Sequence, residues 1–181
     1  MGRHLVVGNK KDAADAARGK VFAKLAKEIY VIAKMTGNGD VNSNPSLRTI
    51  VTKAKSAGMS ADTITRAIKK ATDGSDKANY EAITYEGYGP SGVAVMVRCL
   101  TDNKNRTAGN MRHIFDKCGG SLGVDGSVSY IFCEVDGEFL YDFPAIVAED
   151  KKAAFAKFLD MLDDDDDVQE VIHNGESDEQ N

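Results

Sequence analysis

The hydrophobic pattern of this chain changes its period near residue 73. Before that point apolar residues recur every three or four positions, the period of a helix with one buried face. After it, short runs of alternating or β-branched residues are typical of strands. Charge changes sign at the same place, because residues 1–72 carry 14 Lys/Arg and 5 Asp/Glu, whereas residues 73–181 carry 9 and 23. The pattern therefore predicts a basic helical part followed by an acidic mixed part.

Three helices are predicted in the basic part. The first spans residues 10–35, with an apolar stripe on one side and Lys20, Lys24, Lys27 and Lys34 on the other. The second begins at an Asn-Pro pair, residues 44–45, and ends near Gly58, and a serine at position 60 caps the third. The polar sides of the second and third helices carry six further cations: Arg48, Lys53, Lys55, Arg66, Lys69 and Lys70.

The acidic part predicts an α+β sandwich of the ferredoxin-like kind, with helices on one face of the sheet. Its predicted strands are residues 80–88, 93–100, 127–132 and 168–173, with a short extra strand at 138–143, and its predicted helices are 108–117 and 151–162. Residues 73–79 form a polar linker. The expected organisation is a three-helix domain over 1–74, an α+β domain over 80–174, and a frayed tail over 175–181.

Bulk composition excludes several classes of protein. Apolar residues make up 42% of the chain, enough for a core, but no run reaches the length of a membrane span. The three cysteines are widely spaced and the N-terminus has no secretory apolar segment, so a cytoplasmic protein without disulfides is expected. No catalytic, nucleotide-binding or metal-ligand motif is present, and we expect no enzyme activity, cofactor or metal site.

The cationic helices are the main functional signal. A charged outer face is commonly a solvated surface, but three consecutive basic helices in a chain with a net charge of −5 favour nucleic-acid binding. Ammonium and guanidinium groups replace the counterions condensed on phosphates, which provides affinity but no base readout. We therefore expect recognition of shape and charge more than of sequence.

Three further features have alternative interpretations. The loop residues Asn103, Lys104, Asn105 and Arg106 precede a predicted helix, where they could hold an anion or could cap the helix. The five acids at 163–167 could bind a hard cation, although a solvated acidic corner that ends a helix is favoured. Tyr130 and Phe132 share a face of the predicted strand 127–132, but the RNA-recognition run K/R-G-F/Y is missing, so packing in the core is the better explanation.

Several motifs closely resemble those of the YebC/PmpR family, which includes the mitochondrial translational activator of cytochrome c oxidase. They occur in order along most of the chain: Tyr85-Glu-Gly-Tyr-Gly-Pro90, Leu100-Thr-Asp-Asn-Lys-Asn-Arg-Thr107, Arg112-His-Ile-Phe115, Gly126-Ser-Val-Ser-Tyr130 and Asp166-Asp-Val-Gln169. Residues 14–27, 44–48 and 66–70 are also similar to the basic helical domain of that family.

The resemblance implies a cytosolic, non-enzymatic factor that binds nucleic acid. Members have long been labelled DNA-binding transcriptional regulators, and a more recent view makes them ribosome-associated factors that help translation through proline-rich stretches. On that view the helical domain contacts ribosomal RNA of the large subunit near the peptidyl-transferase region. The cations that fall in this contact segment by position are Lys10, Lys11, Arg18, Lys20, Lys24 and Lys27.

Two departures from the family pattern bear on function. Members usually carry a third domain after the strand that matches 127–132, and here only residues 133–147 separate that strand from the last helix. The usual N-terminal Trp and Asn-Ile-Lys-His run are also absent. The sequence therefore predicts a two-domain short form. Three hypotheses follow: a ribosome-associated translation factor, a DNA-binding transcriptional regulator, and a regulatory paralogue that acts through protein contacts. The oligomeric state stays open.

Overall fold

The structure is a computed structural model that describes residues 2–74 and 76–177, with side chains described for 14–74 and 76–176. The chain divides into two compact units, Met1–Asn79 and Tyr80–Asn181. The first is helical and the second combines a sheet with helices, so the predicted mixed α+β fold class is confirmed. In the described part of the chain, no helix is both long and apolar enough to cross a bilayer.

The first unit consists of α1 (Gly2–Thr36), α2 (Pro45–Ser56) and α3 (Ala61–Thr72). The side chain of Asn44 accepts from the Leu47 N–H, and that of Ser60 accepts from the Thr63 N–H, as the sequence predicts for two N-caps. The core lies where the apolar stripes of the three helices meet: Leu25, Ile29, Ala33, Leu47, Ile50, Val51, Ala54, Met59 and Ile64.

The second unit alternates strands and helices along the chain. Its elements are β1 (Glu81–Tyr88), β2 (Ala94–Thr101), α4 (Lys104–Lys117), β3 (Ser121–Leu122), β4 (Phe132–Val135), β5 (Glu138–Tyr141), β6 (Ala145–Val147), α5 (Lys152–Asp164), β7 (Val168–His173) and β8 (Gly175–Ser177). The main sheet is antiparallel, with strand order β3-β1-β2-β7. The strands β4 and β5 form a separate hairpin, and β6 pairs in parallel with β8.

The two faces of the main sheet pack against different elements. On one face, residues such as Val95 and Val97 pack against Met111 and Phe115 of α4 and Phe158 of α5, so both helices share one layer as expected. On the other face, a smaller cluster contains Ala94, Met96, Val128 and Ile172, and the hairpin covers it with Phe132 and Phe139. The sheet is therefore buried on both faces, by helices and by a hairpin.

Four predictions about the second unit are wrong in detail. Residues 127–132 do not form a strand of the sheet, because Ser129–Ile131 is a short 3-10 helix and β3 supplies the third strand. Tyr130, predicted to pack in the core, is 75% exposed. The helix predicted from residue 108 begins at Lys104, where Asn103 caps it. The tail predicted to fray from residue 175 starts with β8, which β6 stabilises by pairing.

Two glycines of the second unit form a matched pair for a packing experiment. A Cβ on Gly120 would lie 2.5 Å from the Tyr88 carbonyl oxygen, whereas one on Gly109, inside α4, would meet nothing within 4 Å. We expect Gly120→Ala to lower the free energy of unfolding by about 1–3 kcal/mol, and Gly109→Ala to raise it by up to about 1 kcal/mol. Urea unfolding of both variants measures this, and equal effects would contradict the close approach of β1 to residue 120.

Candidate nucleic-acid interface

The polar side of α1 carries the first group of predicted contact residues. Arg18 and Lys20 are exposed, and Lys24 and Lys27 are half-buried. Leu25 and Ile29 on the opposite side enter the core, so the helical period alone places the lysines outward. Lys10 and Lys11 were also predicted contacts, and they lie outside the described side chains.

The cations of α2 are all exposed. The Arg48 guanidinium donates to the backbone carbonyls of Val41, at 3.2 Å, and of Asn42. These bonds hold the side chain over the loop between α1 and α2 without neutralising its charge. Lys53 and Lys55 lie in the last turn, where a positive charge suits the negative end of the helix dipole.

Two of the three predicted cations of α3 form ion pairs. Arg66 pairs with Asp62 one turn earlier, and this hydrogen bond and charge lower the pKa of Asp62 and raise that of Arg66. The Lys70 ammonium lies 2.8 Å from Asp76, and its hydrogen bond is the main reason that the pKa of this carboxyl is lowered. Lys69 is exposed in the last turn. The α3 surface is therefore less positive than its sequence suggests.

Lys34 has a structural role that the sequence did not reveal. Its ammonium lies 2.8 Å from the Tyr30 hydroxyl and donates to the backbone carbonyls of Asp76, at 3.3 Å, and of Ala78. The Tyr30 hydroxyl also donates to Ala78, at 3.1 Å, and Lys70 lies 5.9 Å from the tyrosine ring centre. This cluster connects residues 76–78 to α1 and α3. It could not be predicted from the sequence, because it depends on segments that are far apart along the chain.

The predicted anion-binding loop has its cations engaged within the protein. The Asn103 side chain accepts from the Arg106 N–H at 3.1 Å, and Lys104 pairs with Glu81. The Arg106 guanidinium lies 2.9 Å from Asp102 and 2.8 Å from Asp167, and these carboxylates raise its pKa. Of the two interpretations, the geometry favours a capping loop, and anion binding stays a prediction.

The acidic run at residues 163–167 is only partly a solvated corner. The helix α5 ends at Asp164, but Asp167 is only 4% exposed and lies beneath the start of α4. Its carboxylate accepts from the Thr101 hydroxyl at 3.2 Å and from the Thr107 hydroxyl at 2.9 Å, besides Arg106. Asp165 accepts from the Asn110 amide at 2.8 Å. Within the described residues no three acidic, histidine or cysteine side chains are grouped to hold a metal ion.

A buried carboxylate, Glu86, was missed at the sequence level. It is 7% exposed on β1 and accepts from three backbone amides, those of Gly126, Val128 and Ser129, at 2.9–3.0 Å. Burial would raise the pKa of Glu86, but the three donated hydrogen bonds outweigh it and lower the pKa. The sequence shows only a single acidic residue within a predicted strand, and it does not reveal whether that side chain is buried or exposed.

Known domain patterns match both units. The TACO1/YebC protein N-terminal domain matches residues 6–74, and the TACO1/YebC second and third domain matches residues 80–142. The chain belongs to the TACO1/YebC family. The first of these matches spans every cation described above on α1, α2 and α3, and the second includes Glu86 and the capping loop of α4.

Several curated TACO1/YebC relatives are similar to the chain. The probable transcriptional regulatory protein GK2594 of Geobacillus kaustophilus is 63% identical over 126 residues, which are 70% of this chain and 51% of that protein. The probable transcriptional regulatory protein Tgr7_2237 of Thioalkalivibrio sulfidiphilus is 49% identical over 171 residues, 93% of this chain and 67% of that protein. The chain thus spans about half the length of the first of these relatives.

A solved structure is also similar to this chain over most of its length. The conserved hypothetical protein Aq1575 from Aquifex aeolicus superposes with a TM-score of 0.79 at 31% identity, covering 92% of this chain and 93% of that one. The names of the curated relatives describe regulatory proteins rather than enzymes.

Proposed function

We propose that this chain is a non-enzymatic regulator of gene expression that binds nucleic acid through its helical unit in the cytoplasm. The observation that carries the proposal is the concentration of exposed cations on three neighbouring helices, among them Arg18, Lys20, Arg48, Lys53 and Lys55. A positive surface attracts phosphate backbones even when the whole chain is acidic. The regulatory names of the relatives support it.

The ligand we propose is ribosomal RNA of the large subunit, and the effect is easier synthesis of proline-rich stretches. The cations lie on α1, α2 and α3 instead of on one helix end, which suits an irregular surface of phosphates better than a single groove. This finer proposal rests on the family resemblance together with the charge distribution.

Co-sedimentation with purified 50S particles tests this proposal. Retention at moderate salt, with loss at high salt, is the expected result, because phosphate contacts release counterions. A short duplex of random sequence serves as the competitor. If the chain stays in the supernatant at every salt concentration, the ribosomal proposal fails.

The second candidate function is a DNA-binding transcriptional regulator, which the names of the relatives favour. It requires selective binding to one duplex over a scrambled duplex of equal length. If neither ribosomes nor duplexes bind, a regulatory role through protein contacts becomes the better hypothesis.

A charge-removal variant tests whether α1 provides the contact surface. We expect Lys20→Ala, Lys24→Ala and Lys27→Ala together to weaken binding and to flatten its salt dependence by about 0.7–0.9 in log–log slope for each lost phosphate contact. The matched control removes three exposed lysines of the second unit, Lys117, Lys151 and Lys157, with the same change in net charge. Equal losses from both variants would mean that only total charge matters.

A further inference from the structure

A groove of about 380 Å³ runs beside the last strand of the main sheet. Residues 170–173 of β7 form one wall, and Gly137 in the turn of the β4–β5 hairpin and Glu138 and Phe139 at the start of β5 form the other. Its volume is within the range of pockets that bind small molecules or peptide side chains. Neither the family's basic helices nor the capping loop of α4 contributes to it.

The strand β7 has an open edge along this groove. It is the last strand in the order of the main sheet and pairs only with β2 among the described residues. The Asn174 N–H donates to the Ala94 carbonyl, so that pair is hydrogen-bonded. Because hydrogen-bonded and non-hydrogen-bonded pairs alternate, Glu170 and Ile172 bond to β2, and the N–H and C=O of Val171 point outward.

The pairing of β2 with β1 supports this assignment independently. The Gly89 N–H donates to the Val93 carbonyl at 2.8 Å, which makes that pair hydrogen-bonded. By the same alternation, Val97 directs its backbone groups to β1, on the side away from β7. Its partner on β7 is Val171, whose backbone groups therefore cannot be used by β2.

The rim of the groove is acidic. Glu138 and Glu170 line it, and Glu134 and Asp136 are exposed on the same hairpin. A cation nearby, Arg98, lies 3.2 Å from Glu170, with both side chains about half exposed. Phe139 and Ile172 add an apolar floor. Negative potential with an apolar floor suits a positively charged, extended chain and repels phosphates.

We propose that the edge of β7 binds an extended, Lys/Arg-rich peptide segment of a partner protein as an added strand. The peptide backbone would pair with the outward groups of Val171, and its cationic side chains would lie against Glu138 and Glu170. A second copy of this chain is a poorer occupant, since it would bring the same acidic rims together. The proposal is independent of the nucleic-acid function.

Amide hydrogen exchange by NMR on the full chain tests the backbone part of the proposal. The probe is the acetylated, amidated peptide (Lys-Val)₄. In the free protein, we expect the Val171 amide to exchange faster than those of Glu170 and Ile172. With peptide at about ten times its Kd, exchange at Val171 should slow about tenfold, by mass action. No slowing at Val171 in the saturated protein overturns the proposal.

Two control peptides separate strand pairing from simple charge attraction. A (Lys-Val)₄ peptide N-methylated at every residue has no backbone N–H on either edge and cannot complete a ladder, and (Glu-Val)₄ has the opposite charge; neither should protect Val171. If the N-methylated peptide protects Val171 as well as the parent does, the added strand is refuted. If the lysine peptide instead perturbs residues 163–166 and leaves the groove unchanged, it binds the acidic run and the proposal fails.

Charge variants test the rim. We expect Glu138→Gln with Glu170→Gln to weaken peptide binding about threefold to tenfold, as loss of two exposed ion pairs predicts. The matched control is Asp160→Asn with Asp163→Asn, two exposed acids at the end of α5. Unchanged affinity in the rim variant, or an equal loss in the control, contradicts an acidic rim that selects the peptide.

Discussion

Replacing Asp167 with Ala is expected to lower the free energy of unfolding by about 2–4 kcal/mol, because a buried carboxylate that accepts several hydrogen bonds is removed. Two buried hydroxyls, those of Thr101 and Thr107, would lose their acceptor, and Arg106 would lose one of its two carboxylate partners. These contacts join the end of β2 and the start of α4 to the segment that enters β7. Their loss should therefore loosen a junction between three elements.

Urea unfolding at neutral pH measures this effect, and the acidic run itself provides the control. Asp166→Asn removes a charge from the adjacent position, which is exposed, and should change stability by no more than about 0.5 kcal/mol. Asp167→Asn keeps one oxygen acceptor and should cost less than Asp167→Ala. If the Asp166 and Asp167 variants are equally stable, the network around Asp167 does not hold the junction.

Glu86→Gln is expected to lower the free energy of unfolding by about 2–3 kcal/mol. One carboxylate oxygen that accepts a backbone hydrogen bond in the wild type is replaced by an NH₂ group, so a donor faces a donor. The two carboxylate oxygens accept hydrogen bonds from the backbone N–H groups of Gly126, Val128 and Ser129. These residues lead the chain into the 3-10 helix that precedes β4. Glu134→Gln, on the exposed side of the hairpin, is the control and should be nearly neutral.

The same glutamate should contribute to acid unfolding. Its pKa is lowered in the folded protein, so its stabilising effect is complete above the unfolded value of about 4.3 and is lost as pH falls through the folded pKa. The difference in stability between the wild type and Glu86→Gln should therefore shrink on acidification from pH 5 downward. Urea unfolding at a series of pH values measures it, and a constant difference would mean that the carboxylate is not the stabilising form.

The helical unit could be predicted well because its signals are local. The caps at Asn44 and Ser60 and the apolar stripes lie within a few residues of the elements they define. The outward side of Lys20 follows from the same helical period. The strands β1, β2 and β7 were also recognisable, since each is a run of β-forming residues bounded by polar or glycine-rich segments.

Features that depend on distant partners could not be predicted. Residues 127–132 have the composition of a strand, yet three backbone amides in or beside that segment donate to Glu86, about forty residues earlier in the chain. The segment accordingly forms a 3-10 turn instead of a strand. Strand β8 pairs with β6, which lies about thirty residues earlier in the chain. The pairing of Lys34 with residues 76–78 and of Arg106 with Asp167 likewise joins segments that are far apart in sequence.

The sequence by itself determined the two-part organisation, the family and the excess of positive charge on the helical unit, because period, motif and charge are properties of neighbouring residues. Only the tertiary structure decided which charges are available at the surface. It placed Asp167 and Glu86 inside the second unit and paired Asp167 with Arg106. The physical reason is that burying a charge is costly without partners, and those partners come from segments that only folding brings together.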